Sequence, residues 1–395
     1  MLKRILRTAL ALTALTACDQ KAARTETTSN ETPTTTAADA AQATTAKAPP
    51  APKSPPPKPD PTLPGEAEGD FIVKDFRFAS GETLPELRLH YTTLGAPHQD
   101  AQGHVDNAVL LLHGTTARGK AFFVESFRSA MFGPGQPLDT TKYFVILPDN
   151  VGAGQSSKPS EQLRARFPHY AYGDMLALQH RLVTEKLGLS HLRLVIGNSM
   201  GGMHTWMWAE KYPDMMDAAV PIACEPTRIA GRNLLWRRMM IETTKTDPAY
   251  NGGDYTEQPR GYVSMLPLFY MMVDSPARFQ ESLPDMDKAT AFVHGDFGAA
   301  RAPLDANDAL YALDASRDYD PEPDLGKIKT NLLAINFADD EINVASLGDL
   351  ERLVPHVHGG HFVLVPASAR THGHMTQMQA AEWQTHVATL LQKGK

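Results

Sequence analysis

The stretch Leu192–Gly202, L-R-L-V-I-G-N-S-M-G-G, constrains this chain more than any other. Leu192, Leu194 and Ile196 alternate with other residues and run into Gly197, the pattern of a short buried strand. Gly197-x-Ser199-x-Gly201 follows, and the residues from Gly202 keep helical character as far as Pro213. A strand that feeds a Gly-x-Ser-x-Gly turn into a helix is the context of a nucleophile elbow. Its glycines leave room for a strained turn that holds Ser199 Oγ above the sheet edge. They also let the helix pack close, with its N-terminal N–H groups near a developing oxyanion. A bare match to this pattern arises by chance in many chains. Here the apolar strand before it and the helix after it mark Ser199 as a nucleophile.

Periodicity elsewhere predicts the sheet that such a turn needs. Asp70–Phe78 and Leu87–Leu94 read as two antiparallel strands around a Ser80-Gly81 turn. Ala108–Leu112, leading to His113-Gly114, is a continuous apolar run, as expected of a strand covered on both faces. Tyr143–Leu147, Ala218–Ala223, Asn331–Asn336 and Gly360–Val365 are further strands, and Ala171–Leu187 has helical spacing that stops at Gly188. Strands alternating with helices give an α/β class with a mostly parallel sheet and an antiparallel start. Between Glu225 and about Asp305 the chain turns rich in Arg, Met, Pro and aromatics, with the pairs Met239-Met240 and Met271-Met272. This reads as a helical cap inserted into the sheet domain. Its methionines either shape an adaptable acyl pocket or fill the cap's own core.

A serine nucleophile needs a base, and the base needs an orienting carboxylate. After an elbow of this kind the chain order is Ser, then acid, then His. The acid is expected just past the Asn331–Asn336 strand, in Phe337-Ala-Asp339-Asp340-Glu-Ile342-Asn343. Asp340 is preferred because Asp-x-Ile sets an apolar residue two positions on to lock the loop; Asp339 is the alternative. In Thr371-His372-Gly373-His374, Gly-His before a helix favours His374 as base, with His372 as runner-up. Two N–H donors complete the set, Met200 after the nucleophile and Thr115 after His113-Gly114. His113 itself more readily shapes that loop than reacts. This mechanism requires no metal and no cofactor.

Other features carry less. His356-x-His358-Gly-Gly-His361 lacks carboxylate support and reads as a surface turn. Gly152-x-Gly154 lacks the third glycine and downstream acid of a nucleotide fingerprint. Arg232, Arg237 and Arg238 could hold a substrate carboxylate, although solvated surface arginines are the plainer reading. Cys224 ends a buried strand and reads as a structural thiol. A net charge of −7 over 395 residues, with no basic stripe, argues against nucleic acid as partner.

The beginning of the chain differs in kind. Met1–Arg7 carries three cations, and Thr8–Thr16 is an apolar run too brief to span a bilayer. Leu15-Thr-Ala-Cys18 resembles the bacterial lipoprotein signal, in which the cysteine becomes the lipidated N-terminus. Residues 1–18 are therefore expected to be a signal peptide. Residues 19–69, dominated by Thr, Ala, Pro and Lys, are expected to form a disordered tether before a folded domain over 70–395. The expected location is periplasmic, on the membrane through that lipid only.

Several motifs together resemble the homoserine O-acetyltransferase-like branch of the α/β-hydrolases. They are Pro148-Asp-Asn-Val-Gly, Gly197-Asn-Ser-Met-Gly-Gly-Met203, Asp305–Tyr319, Ala338-Asp-Asp-Glu-Ile-Asn and Thr371-His-Gly-His. The likeness runs from about Asp70 to the end. It implies an α/β-hydrolase fold with a helical cap, Ser199, Asp340 and His374 as triad, and Thr115 as first oxyanion donor. A homodimer through the cap is compatible with it. The transferases carry a Cys-Tyr-Gly-Ser-Thr-like stretch where this chain has Ala153–Pro159, and an Arg-Phe-Gly-Arg-like cap element is not visible. The leading expectation is thus a serine-dependent esterase acting on a small-molecule ester. An O-acyltransferase with a donor such as acetyl-CoA is the alternative, and a non-catalytic binding lipoprotein a third.

Overall fold

A computed structural model describes residues 62–294 and 304–393. The expected signal peptide, Cys18 and the expected tether up to residue 61 lie outside the described residues. The antiparallel start is a hairpin of β1 (Ala67–Arg77) and β2 (Thr83–Leu94), turned at Gly81 with φ +89°. Next come β3 (Ala108–Leu112), α1 (Glu125–Met131), β4 (Phe144–Pro148) and α2 (Tyr172–Arg181). The elbow joins β5 (Leu194–Asn198) to α3 (Met200–Lys211), followed by β6 (Ala218–Ile222). After the cap come β7 (Asn331–Phe337) and β8 (His361–Val365). The sheet order is β1-β2-β4-β3-β5-β6-β7-β8, and the six strands from β4 to β8 are mutually parallel.

Both faces of this sheet are covered, which explains the unbroken apolar runs. Leu110, Leu112, Ile146 and Val195 pack on one side with Tyr172 and Met175 of α2 and Met203 and Trp206 of α3. Their strand neighbours Val109, Leu111, Val145, Leu147 and Ile196 point the other way. There they meet Phe127 of α1 and Trp383 and Val387, the latter on the last helix (Gln384–Lys393). The strand period of two thus divides one sequence run between two cores.

The insert after β6 forms a third core of its own. It contains α4 (Gly231–Thr246), α5 (Arg260–Val273), α6 (Pro276–Ser282) and α7 (Met286–His294). Trp236, Met240, Tyr262, Leu266 and Met272 pack together there. The helix α8 (Ala306–Asp314) joins the same cluster through Ala309, Leu310 and Leu313, so the helical insert runs on past Asp305. Asp305 caps α8 by accepting from Asn307 N at 2.9 Å and also accepts from Tyr255 Oη. Asp308 accepts from Ser160 N and Oγ at 2.8 and 2.6 Å, tying α8 to the loop after β4. No helix among the described residues is long and apolar enough to cross a membrane.

Candidate active site

Backbone geometry puts Ser199 where its reactivity would need it. The residue sits at φ 54°, ψ −114°, outside the regions an L-residue prefers, and Ser199 N–H donates to Ile222 O at 2.8 Å. Only glycine fits around it. A Cβ at Gly201 would lie 2.0 Å from Leu112 O, and one at Gly197 would lie 2.3 Å from Gly201 O. A Cβ at Gly202 would press on Cys224 Sγ and Ile222 O at 2.7 Å. The glycines therefore let α3 close down on β3 and β6 behind the serine.

The loops after β7 and β8 deliver the other two groups. His374 Nε2 is 2.9 Å from Ser199 Oγ, and His374 Nδ1 is 2.7 Å from Asp340 Oδ2. All three side chains are buried, Ser199 most accessible at 8%. Asp340 Oδ1 accepts from Ile342 N at 2.7 Å and Asn343 N at 3.1 Å, so the Asp-x-Ile loop is locked through its backbone as well as its apolar side chain.

The two alternatives take other places. Asp339 Oδ2 accepts from Thr371 Oγ1 at 2.8 Å and Gly373 N at 3.2 Å, which clamps the histidine loop from behind. His372 is half-buried, and its N–H bonds Thr376 Oγ1 at 2.7 Å. Gly373, at φ +55°, turns the chain between the two histidines. Sequence reasoning gave Asn343 no role. Its Nδ2 donates to Ala223 O at 2.8 Å and reaches Asp340 Oδ2 at 3.2 Å, so it pins the acid to the end of β6. A carboxamide three residues after Asp340 was the available signal. Asn198 was also missed: its Nδ2 donates to Gln377 O at 3.0 Å and couples the elbow to the histidine loop.

The expected oxyanion donors border the serine. A Cβ on Gly114 would sit 3.4 Å from Ser199 Cβ, so the loop carrying Thr115 passes directly beside the nucleophile. Thr116, next along, is held at φ 64°. Met200 N–H belongs to the first turn of α3, whose leading donors have no carbonyl within the helix. His113 shapes this loop as expected. It is buried, its Nδ1 lies 2.8 Å from Gly114 O, and its Nε2 accepts from Asn150 N at 3.0 Å. Burial pushes its pKa down, which favours the neutral ring that can accept. Gln179 Nε2 continues this buried network to Asn150 Oδ1 at 2.6 Å and His204 Nδ1 at 3.0 Å. Burial also takes His204 down to about 3.

Ser199 and His374 open into a cavity of about 790 Å³ under the cap. Phe122 and Phe123 line its body side, while Trp236, Met240, Leu266 and Phe269 line its cap side. Of each methionine pair one member faces inward. Met240 lines the cavity and Met272 fills the cap core, whereas Met239 and Met271 are exposed. His356, His358 and His361 are exposed, and Cys224 is a buried free thiol whose pKa burial raises. Among the described residues no cluster suits a metal ion.

Comparison with known proteins bears on the family and the fold. Residues 107–376 match the family model described as the alpha/beta hydrolase fold. Homoserine O-succinyltransferase of Magnetococcus marinus is 30% identical over 306 residues, covering 66% of this chain and 76% of that protein. This chain is an α/β-hydrolase of the homoserine O-acetyltransferase-like branch. Ethyl acetate hydrolase of Pseudomonas veronii is 29% identical over 279 residues, covering 66% of this chain and 77% of that one. The structure of the acetyl esterase MekB superposes with a TM-score of 0.70 at 25% identity, over 82% of this α/β-hydrolase and 97% of that chain. The relatives are enzymes that transfer acyl groups to water or to an alcohol, and this α/β-hydrolase is an enzyme of that kind.

Proposed function

We propose that this enzyme is a serine esterase that passes the acyl group of a small ester to water. The observation that supports the reading is the chain of hydrogen bonds from Ser199 through His374 to Asp340 at the floor of a largely apolar cavity. Ser199 Oγ gives its proton to His374 Nε2 as the oxygen bonds the carbonyl carbon. The carbonyl oxygen becomes an oxyanion facing the N–H groups of Thr115 and Met200. The bond to the alcohol oxygen then breaks, and His374 returns the proton to the departing alcohol. An acyl ester remains on Ser199. Water adds to it in the same way, giving its proton to His374, and the acid leaves as Ser199 regains a proton. Asp340 holds the imidazole tautomer and offsets the charge the ring gains.

Water is the acceptor in this reading because of the chain's address. Lipidation at Cys18 would hold the domain in the periplasm, across the membrane from acetyl-CoA. Replacing Cys18→Ala should move the protein from the membrane to the soluble fraction; retention in the membrane would contradict the anchor. An O-acyltransferase is the second reading, supported by the relatives named as homoserine acyltransferases. The full chain should therefore be assayed on nitrophenyl esters of increasing acyl length, with and without homoserine, and for acetyl-CoA consumption. Hydrolysis that ignores homoserine, spares acetyl-CoA and vanishes in Ser199→Ala is expected. Acetyl-CoA use that rises with homoserine would establish the transferase instead.

A further inference from the structure

The cap wall of the cavity holds a cation that the acyl chemistry does not use. Of the three arginines on α4, Arg232 pairs with Glu341 and Arg238 with Glu242, both at the surface. Arg237 is different. It is 3% exposed, lines the cavity over Ser199, and takes part in no ion pair among the described residues. Its Nε donates to Asn233 Oδ1 at 2.9 Å and its guanidinium lies 5.0 Å from the Trp236 ring. Tyr172 is its polar neighbour, yet Arg237 Nη1 has no hydrogen-bond partner of proper geometry. One more buried donor on the same cavity is unmatched, Trp236 Nε1, while Thr115 Oγ1 has Tyr172 as its polar neighbour.

A guanidinium out of water without a counter-ion is one of the costliest groups a fold can retain. A buried guanidinium N–H and a buried indole N–H, both unmatched on one cavity, call for a ligand that accepts hydrogen bonds. The planar fork of arginine matches the two oxygens of a carboxylate better than it matches a lone water or carbonyl. We propose that Arg237 receives a carboxylate carried by the substrate, so that the esters this enzyme prefers are anionic. Trp236 Nε1 is the neighbouring donor. The proposal rests on the esterase reading of Ser199. It makes Arg237 a specificity-determining residue on the cap, while the bond-breaking groups stay on the body.

The carboxylate can sit on the acyl or the alcohol portion, and two substrate pairs separate these. Ethyl succinate against ethyl succinamate tests the acyl side, and 4-acetoxybutanoate against its amide tests the alcohol side. In the wild-type chain one pair should show a kcat/KM ratio of acid to amide above about 10. Arg237→Gln should bring that ratio to about 1 or below, and Arg237→Lys should keep part of it. A ratio near unity in both pairs, or one that Arg237→Gln leaves unchanged, overturns the proposal. Should Arg237→Gln fail to fold, calorimetry on Ser199→Ala with the preferred acid and its amide asks the same question. Binding of the acid no tighter than the amide overturns it. A fluorophosphonate probe keeps the two readings apart. Failure to label Ser199 in the wild-type chain sinks the esterase reading, whereas labelling without charge preference sinks only the carboxylate site.

Discussion

In the sheet, β3, β4, β5 and β6 bury every residue, whereas the cap leaves Leu234, Leu235, Met239, Val263 and Met271 between 39% and 59% exposed. The contrast extends to what each region does. The body fixes Ser199 through close backbone approaches that no side chain could enter, at Gly197, Gly201 and Gly202, and holds Asp340 and His374 through the hydrogen bonds of their loops. The cap contributes none of these three groups. It supplies Trp236, Arg237, Met240, Leu266 and Phe269 to the space above them. A rigid floor with a side-chain-built roof lets one chemistry serve many substrates, because the roof can change without moving the reacting atoms.

The largest effects should come from breaking the floor. Asp340→Asn should lower kcat about 10⁴-fold by presenting the wrong imidazole tautomer, while Asp339→Asn, which only loosens the Thr371 and Gly373 clamp, should cost about tenfold. Equal losses in steady-state kinetics would mean that the acid has been assigned to the wrong neighbour. A change in the roof should instead alter selection. Met240→Trp, filling the cavity, should reduce kcat/KM for long acyl chains about tenfold relative to acetyl esters. A uniform loss over all chain lengths would place Met240 outside the acyl path.

The smallest effect concerns stability. Burial pushes Glu225, beside Asn336 at the end of β6, up to about 8 from 4.5. Between those values the folded chain keeps a proton that the unfolded chain has lost, so this group's contribution falls as pH rises through that window. Glu210, raised to about 8 by burial, acts with the same sign. Glu225→Gln should therefore shrink the stability lost between pH 5 and 8 by about 1 kcal/mol or more, read from denaturant midpoints. An unchanged slope would show that Glu225 is ionised in the folded state.

The body was legible in the sequence because its constraints are local. Periodicity located every strand of the parallel sheet, and the Gly-x-Ser-x-Gly turn between a strand and a helix singled out Ser199. Asp340 and His374, which hydrogen-bond in series with it, followed from chain order and from what flanks them. Asn343 and Asn198 escaped because each acts through a contact far along the chain, Asn343 with Ala223 and Asn198 with Gln377. The cap was legible as an insert but not in its detail. Arg232, Arg237 and Arg238 look alike on one helix, and only packing separates the buried one from the two paired at the surface. The helix α8 faces both ways, with a sheet-domain contact from Asp308 to Ser160 and an apolar side packed on the cap.

The covalent intermediate tests the central claim most directly. The full chain would be mixed with nitrophenyl acetate, quenched in acid before steady state, and examined by intact and peptide mass spectrometry. A single acetyl group on the peptide bearing Ser199, formed with a burst of nitrophenol and absent from Ser199→Ala, is expected. Turnover that persists in Ser199→Ala, or an acetyl group on any other residue, would contradict the assignment of Ser199 as nucleophile and with it the esterase reading.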